Sequence, residues 1–211
     1  MKNLLIIGAR GFGREIFNMA HDCKGFGSEF VIKGFLDDKK DALDNFEGYA
    51  PIIDSVENYE IQEDDVFICA LGDVNYKKKY VDIILSKKGE FINLIHKTAT
   101  ISRNTILGKG CILCSHVVIS CDIKIGNFVT FQPFTCIGHD VCIGDYCHLN
   151  TYSFLGGSVS VGNFVTIHTN AVIHPHVLVE DHSTVGASSV VIRKVKSGTT
   201  VFGNPARKLE F

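Results

Sequence analysis

Nothing in this 211-residue sequence supplies a long apolar run. The run nearest the start, Leu4 to Ile7, is too short for a secretory core, and no later segment approaches the ~20 residues that a membrane-spanning helix needs. An excess of charge is missing as well. Twenty-one basic against 23 acidic side chains leave a net charge of -2, which argues against a dedicated nucleic-acid binder with its usual basic face. Without a secretory segment, the eight cysteines are expected to be reduced thiols of a cytoplasmic protein. Apolar residues still make up 45% of the chain and charged ones 21%, so it can bury a core and is not a disordered tail.

Charge is scarcest in the middle. Residues 1–97 hold 30 of the 44 charged side chains, residues 98–192 hold 8, and the last 19 residues hold 6. A stretch so poor in charge and proline must satisfy its backbone internally. The composition therefore predicts domains at 1–97 and 98–192, with a tail over 193–211.

The middle segment is a repeat. Stepping by six from Ile101 to Val191 meets sixteen positions, all apolar and fifteen of them aliphatic, with no insertion. Gly follows at 108, 126, 138, 144, 156, 162 and 186, and a small or β-branched residue stands two positions before each aliphatic one, as at Cys111, Val117 and Val129. A helix cannot hold a strict period of six, because 3.6 residues per turn would carry the stripe around the cylinder. The period predicts a solenoid of short strands, about 18 residues per coil and a little over five coils, with the glycines at corners.

The first domain begins with a buried-strand pattern, Lys2–Ile7, then Gly8-Ala9-Arg10-Gly11-Phe12-Gly13 and a helical stretch from Arg14 to about Cys23. A glycine-rich turn between strand and helix lets backbone N–H groups face an anion. Its spacing, G-x-x-G-x-G, is not that of a dinucleotide site. Strands are predicted at Val31–Leu36, ending in Asp37-Asp38-Lys39, and at Val66–Ala70, running into Leu71-Gly72-Asp73-Val74-Asn75. A helix follows to about Leu85, and a last strand covers Phe91–Ile95. Acids at the carboxyl end of a parallel strand lie on the ligand edge of an α/β sheet.

The hexads resemble the repeat of left-handed parallel β-helix acyltransferases. Taken with the GARGFG turn, the FLDDK and ALGD strand ends, the LIHKTATIS lead into the hexads and the closing VFGNPARKL, the whole chain resembles sugar acyltransferases. The family is that of sialic-acid O-acetyltransferases and bacillosamine-pathway sugar N-acetyltransferases; its members commonly carry Pro where this chain has Lys97. The resemblance implies an α/β Rossmann-like N-terminal domain that holds a nucleotide sugar, followed by an all-β left-handed β-helix. Arg10, Gly11 and Phe12 would meet phosphates and uridine, and Asp37, Asp38 and Lys39 the base and ribose, with Gly72 and Asn75 on the same edge.

Seven of the nine histidines lie in the repeat, but no acid or thiolate grouping at ligand spacing accompanies them, and Cys111-x-x-Cys114 lacks a second pair. No metal is expected. The family resemblance singles out His139, beside Asp140, as general base. It gives His148, nine residues on, a part in placing the acyl donor, and it aims the Gly157 backbone N–H, one coil on from His139, at the thioester carbonyl. The donor it implies is acetyl-CoA, its arm passing the backbone at Thr169 and Ala187, with Arg193, Lys194, Lys196, Arg207 and Lys208 near its 3′-phosphate. A cyclic homotrimer is the implied assembly. Successive strand residues point to opposite faces, so Asp140 reaches His139 only where the corner breaks the alternation. The favoured reading is an acetyl-CoA-dependent N-acetyltransferase of a nucleotide-linked amino sugar of the UDP-4-amino-sugar type, acting in bacterial glycan biosynthesis. An O-acetyltransferase of sialic acid or another sugar hydroxyl, or a non-catalytic nucleotide-sugar-binding protein, are the alternatives.

Overall fold

Sequential strands separated by amphipathic stretches give way, over residues 100–191, to a regular series of strands two residues long. The computed structural model describes residues 1–210 and divides the chain into two compact units, one over Met1–Lys97 and one from Thr98 onward. Among the described residues no helix is long and apolar enough to cross a membrane.

The first unit has the order β1 (Lys2–Ile7), α1 (Gly11–Ala20), β2 (Phe30–Leu36), β3 (Ile52–Asp54), β4 (Asp65–Cys69), α2 (Val74–Ser86) and β5 (Glu90–Phe91). Its sheet runs β3-β2-β1-β4-β5, every pair parallel. Leu4, Leu5, Ile6, Phe67 and Ile68 are buried to the last few per cent, as expected of strands covered on both faces. Three readings change. α1 starts at Gly11, inside the glycine-rich turn, because Gly13 lies so close to β1 that a Cβ there would stand 1.9 Å from the Gly8 carbonyl oxygen. The last strand stops at Phe91, with Leu94–Ile95 a separate short strand. β3, three residues long and none of them fully buried, carries too short a pattern to be read from sequence. At α2, Asp73 accepts from the N–H groups of Asn75 and Tyr76, both at 2.9 Å, which caps the helix.

Asp65 is the most demanding polar group of this unit. It is 4% exposed and accepts from Lys33 Nζ at 2.7 Å, Tyr59 Oη at 2.6 Å and Gln62 N at 2.8 Å. Burial by itself pushes the carboxyl up, but the three donors outweigh it and hold Asp65 below the usual carboxylate range. Asp65→Ala removes the acceptor of the part-exposed Lys33 ammonium and leaves the buried Tyr59 hydroxyl unpaired, and is expected to cost about 2 kcal/mol in urea unfolding at neutral pH. Because the folded value is depressed, this stability is present above the ordinary value near 4 and is lost as pH falls through the lowered one. The gap between wild type and variant therefore closes in acid.

In the second unit each two-residue strand pairs in parallel with the strand 18 residues on: Val118 with Cys136, Lys124 with Cys142, Thr130 with His148. Three walls result. The first carries strands from Thr100–Ile101 to Val190–Val191, the second from Ile106–Leu107 to Leu178–Val179, the third from Ile112–Leu113 to Thr184–Val185. The aliphatic residue of each hexad points inward, so that Ile119, Ile137, Leu155, Ile173 and Val191 form one buried stack. The tail is built into the third wall: Thr200–Gly203 pairs with Thr184–Val185 and folds back antiparallel on Ala206–Lys208.

The corners correct the glycine expectation. Left-handed φ recurs every six residues from His116 to Ser188, and every residue that adopts it there is non-glycine, among them Phe128, Phe134, Asp140 and Tyr146. That strain is met by stacking between coils: the ring centroids of Phe128, Tyr146, Phe164 and His182 follow one another at 5.0, 5.1 and 4.7 Å. The glycines one residue after the aliphatic positions serve close approach instead. A Cβ at Gly144 would lie 2.7 Å from the Gly162 carbonyl carbon, one coil on. Beside them Asn127, Asp145 and Asn163 each donate the backbone N–H to the side-chain oxygen of the residue 18 positions later, at 2.7 to 2.8 Å.

Candidate functional site

Each unit carries a site of its own. In the second, Ile137 leaves the first wall, Gly138 follows, and His139 and Asp140 form the corner that leads to the second wall. Asp140 has φ +59°, which breaks the strand alternation and swings its carboxylate back to its neighbour. Asp140 Oδ2 lies 2.7 Å from His139 Nδ1. Both side chains are about three-fifths exposed, so the pair adds little to stability; its effect is to orient the ring. The peptide is fastened to both adjoining coils: Asp140 N–H donates to the Cys121 carbonyl at 3.1 Å, and Ser158 N–H to the His139 carbonyl at 2.8 Å. The imidazole leans over Gly157. A Cβ at that residue would stand 2.6 Å from His139 Cε1 and Nε2, so the ring fills the space that any other side chain would take. An imidazole fixed at Nδ1 by a carboxylate, with Nε2 against the face of Gly157 that a side chain would occupy, can accept a proton from a nucleophile.

The other three expected positions lie elsewhere on the prism. His148 is on the third wall between Thr130 and Thr166 and is 3% exposed. Thr169 and Ala187 stand at the corner between the third and first walls, where the Ser188 N–H donates to the Thr169 carbonyl. Within one chain, then, His139, Asp140 and Gly157 come together, while His148, Thr169 and Ala187 do not join them.

The first unit has a cleft of about 450 Å³ across the carboxyl ends of β1, β2 and β4. Arg10, Phe12, Asp37, Asp38 and Gly72 line it. Gly11 and Lys39 line a neighbouring cleft that shares Arg10 and adds Arg14, whose guanidinium lies 3.3 Å over the Phe46 ring. Asn75 is among the lining residues of neither. The two adjacent acids have different tasks. Asp37 accepts the Ala9 N–H on Oδ2 at 2.8 Å and the Lys39 N–H on Oδ1 at 2.9 Å, so it pins the glycine-rich turn to the end of β2. Asp38 accepts from Tyr80 Oη at 2.5 Å; the carboxylate beside it, and then burial, push the Tyr80 phenol above its usual range. Sequence reading missed Tyr76, Tyr80 and Val56 in this cleft. The signal for the two tyrosines was their spacing of four, which puts them on one face of α2.

Residues 3–84 match the family model of the PglD N-terminal domain. Among curated proteins, the UDP-N-acetylbacillosamine N-acetyltransferase of Bacillus subtilis (strain 168) is 31% identical over 121 residues, which is 54% of this chain and 51% of that protein. The chain thus spans about half the length of this curated relative. Among solved structures, PerB from Caulobacter crescentus in complex with CoA and GDP-perosamine has a TM-score of 0.89 at 23% identity, over 100% of this chain and 98% of the other. The acetyltransferase domain of PglB from Neisseria gonorrhoeae FA1090, in complex with acetyl coenzyme A, has a TM-score of 0.90 at 25% identity, over 99% of each. The fold class is therefore the expected one, an α/β unit followed by a left-handed parallel β-helix. The family resemblance read from the sequence motifs is likewise borne out.

Proposed function

We propose that this chain, which belongs with the sugar acetyltransferases of the bacillosamine-pathway family, transfers an acetyl group from acetyl-CoA to the amino group of a nucleotide-linked sugar. One observation carries the reading: His139, oriented by Asp140 at 2.7 Å, lies against the main chain of Gly157 on an exposed corner. The named N-acetyltransferase activities of the relatives, and the CoA and nucleotide sugar held by PerB, support an amine acceptor.

Each group has a task in this chemistry. His139 Nε2 takes the proton as the amine attacks the thioester carbonyl, and returns it to the departing thiolate. Asp140 favours the imidazolium that forms between the two steps. The Gly157 N–H, aimed at the developing oxyanion, supplies about 3 kcal/mol. No serine or cysteine nucleophile is needed, so transfer is direct. The cleft of the first unit holds the nucleotide of the acceptor.

Thr169 and Ala187, on another corner, would contact the donor from a second copy of the chain, whereas His148, 3% exposed, is covered within its own chain. Rotation about a three-fold axis brings one corner of each prism against a different corner of its neighbour, and the assembly closes as a homotrimer.

The test is thiol release from acetyl-CoA with UDP-, dTDP- and GDP-linked amino sugars and with free sialic acid. Turnover of a nucleotide amino sugar at least about 100-fold above sialic acid is expected. Release only with sialic acid or another sugar hydroxyl would replace amine transfer by O-acetylation, and no release with any acceptor would leave a binding protein.

A further inference from the structure

The cleft of the first unit is walled almost entirely by regular structure. Its lining residues stand at or just after the ends of β1, β2 and β4, or on α1 and α2. Among them Val56, which is buried, alone comes from the connection between β3 and β4. We propose that Lys87, at the C-terminal end of α2, is a positioning residue for the acceptor: its ammonium holds the turn that carries Val56 against the cleft and so sets the affinity for the nucleotide. The inference rests on the reading of this cleft as the nucleotide site of a sugar acetyltransferase.

The turn does not complete its own hydrogen bonding. The Tyr59 N–H donates to the Ser55 carbonyl at 3.1 Å and the Asn58 N–H to Ser55 Oγ at 3.2 Å, which closes a single helical turn. The chain just beyond Tyr59 is not helical, so no further turn brings N–H groups to the carbonyls at its end. Lys87 brings them instead. Its Nζ donates to the carbonyls of Val56 at 3.1 Å, Glu57 at 2.5 Å and Tyr59 at 3.1 Å, three acceptors for the three N–H bonds of one ammonium. The lysine is itself anchored: its backbone N–H donates to the Ile84 carbonyl at 3.1 Å and caps α2.

A second lysine touches the same turn, and the two are not equivalent. Lys79 Nζ lies 3.3 Å from Glu57 Oε1, but both side chains are about half exposed, and a solvated pair of this kind contributes little. The Lys87 bonds are charge-assisted and reach the main chain, one of them at Val56 itself. Loss of Lys79 frees a surface carboxylate, whereas loss of Lys87 frees the backbone of a residue that lines the cleft. With its three carbonyls unmet, the turn leaves its seat part of the time. A ligand that needs Val56 in place then binds only the fraction of molecules in which the turn is seated, and its apparent affinity falls by that fraction.

Calorimetric titration of the whole chain with UDP, dTDP and GDP, and separately with acetyl-CoA, tests this below the melting transition of each variant. The diphosphate that the wild type binds most tightly is the probe. Lys87→Met keeps the aliphatic stem and removes the donors. It is expected to weaken the probe about fivefold to twentyfold, with acetyl-CoA affinity and the stoichiometry of both ligands unchanged. Lys79→Met is the control and should move the probe by less than about twofold. In a Val56→Ala background, Lys87→Met should add less than about twofold, because the two changes act through one contact. Wild-type affinity in Lys87→Met, or a full loss that persists in the Val56→Ala background, overturns the proposal and leaves the transferase reading standing. A fall in stoichiometry shared by both ligands marks a chain that is merely destabilised and overturns it too. If the wild type binds no nucleoside diphosphate, both readings fall.

Discussion

His139→Asn is expected to lower kcat by about 100-fold to 10,000-fold, the range that a positioned proton acceptor contributes, while the Km for acetyl-CoA stays near that of the wild type. Asparagine is close to imidazole in reach, and its amide can still donate to Asp140. It has no group that takes a proton at neutral pH. The loss is therefore chemical and not structural. The His139 side chain is 62% exposed, and surface changes of this kind usually move stability by less than about 0.5 kcal/mol, so the melting temperature should hold. A kcat within about threefold of wild type would remove His139 from the reaction, and the corner would have to be read as a surface feature.

The family resemblance singles out His139; the regularity of the solenoid then supplies its neighbours. When every coil has 18 residues, arithmetic gives neighbours: Gly157 is 18 positions on from His139 and stands against its ring. The same arithmetic gives separations. His148 is nine residues from His139, half a coil, and it lies on another wall. What arithmetic does not give is the reason for each residue type. The glycines of the hexads looked like turn formers, yet the turning is done by residues such as Phe128 and Asp140 at positive φ, and the glycines admit the backbone of the next coil. Turning and close approach leave the same mark in a sequence.

In the first unit the strands were legible because β1 and β4 are continuous apolar runs. β3, with Ile53 39% exposed, has no such contrast. Asp37 and Asp38 are chemically identical neighbours, and only the partners supplied by Ala9, Lys39 and Tyr80 separate the acid that pins the glycine-rich turn from the one that accepts from α2. Ala9 and Tyr80 are 28 and 42 residues distant in sequence, and no local pattern carries them.

Gly157→Ala is the most economical test of the corner, since it changes neither the base nor its carboxylate. Gly157 does not have a left-handed φ, so its backbone accepts alanine without strain. The new methyl would stand 2.6 Å from His139 Cε1 and Nε2 and 3.2 Å from Cδ2, against roughly 3.5–4.0 Å for a relaxed carbon contact. Only the ring is in the way, and an exposed ring can move. Relief requires a shift of about 1 Å, which breaks the line from Asp140 through the imidazole to the substrate, and a misplacement of that size costs about 100-fold in rate. The expected result is a kcat about 100-fold lower with a melting temperature near that of the wild type. Gly144→Ala is the matched control: its methyl would meet the Gly162 carbonyl carbon at 2.7 Å, a backbone atom fixed in the next coil. That variant should unfold more easily while its folded fraction keeps the wild-type kcat. Two glycines of the same repeat would thus fail in opposite ways, and a Gly157→Ala enzyme of full activity would mean that the chemistry does not need the ring where the structure holds it.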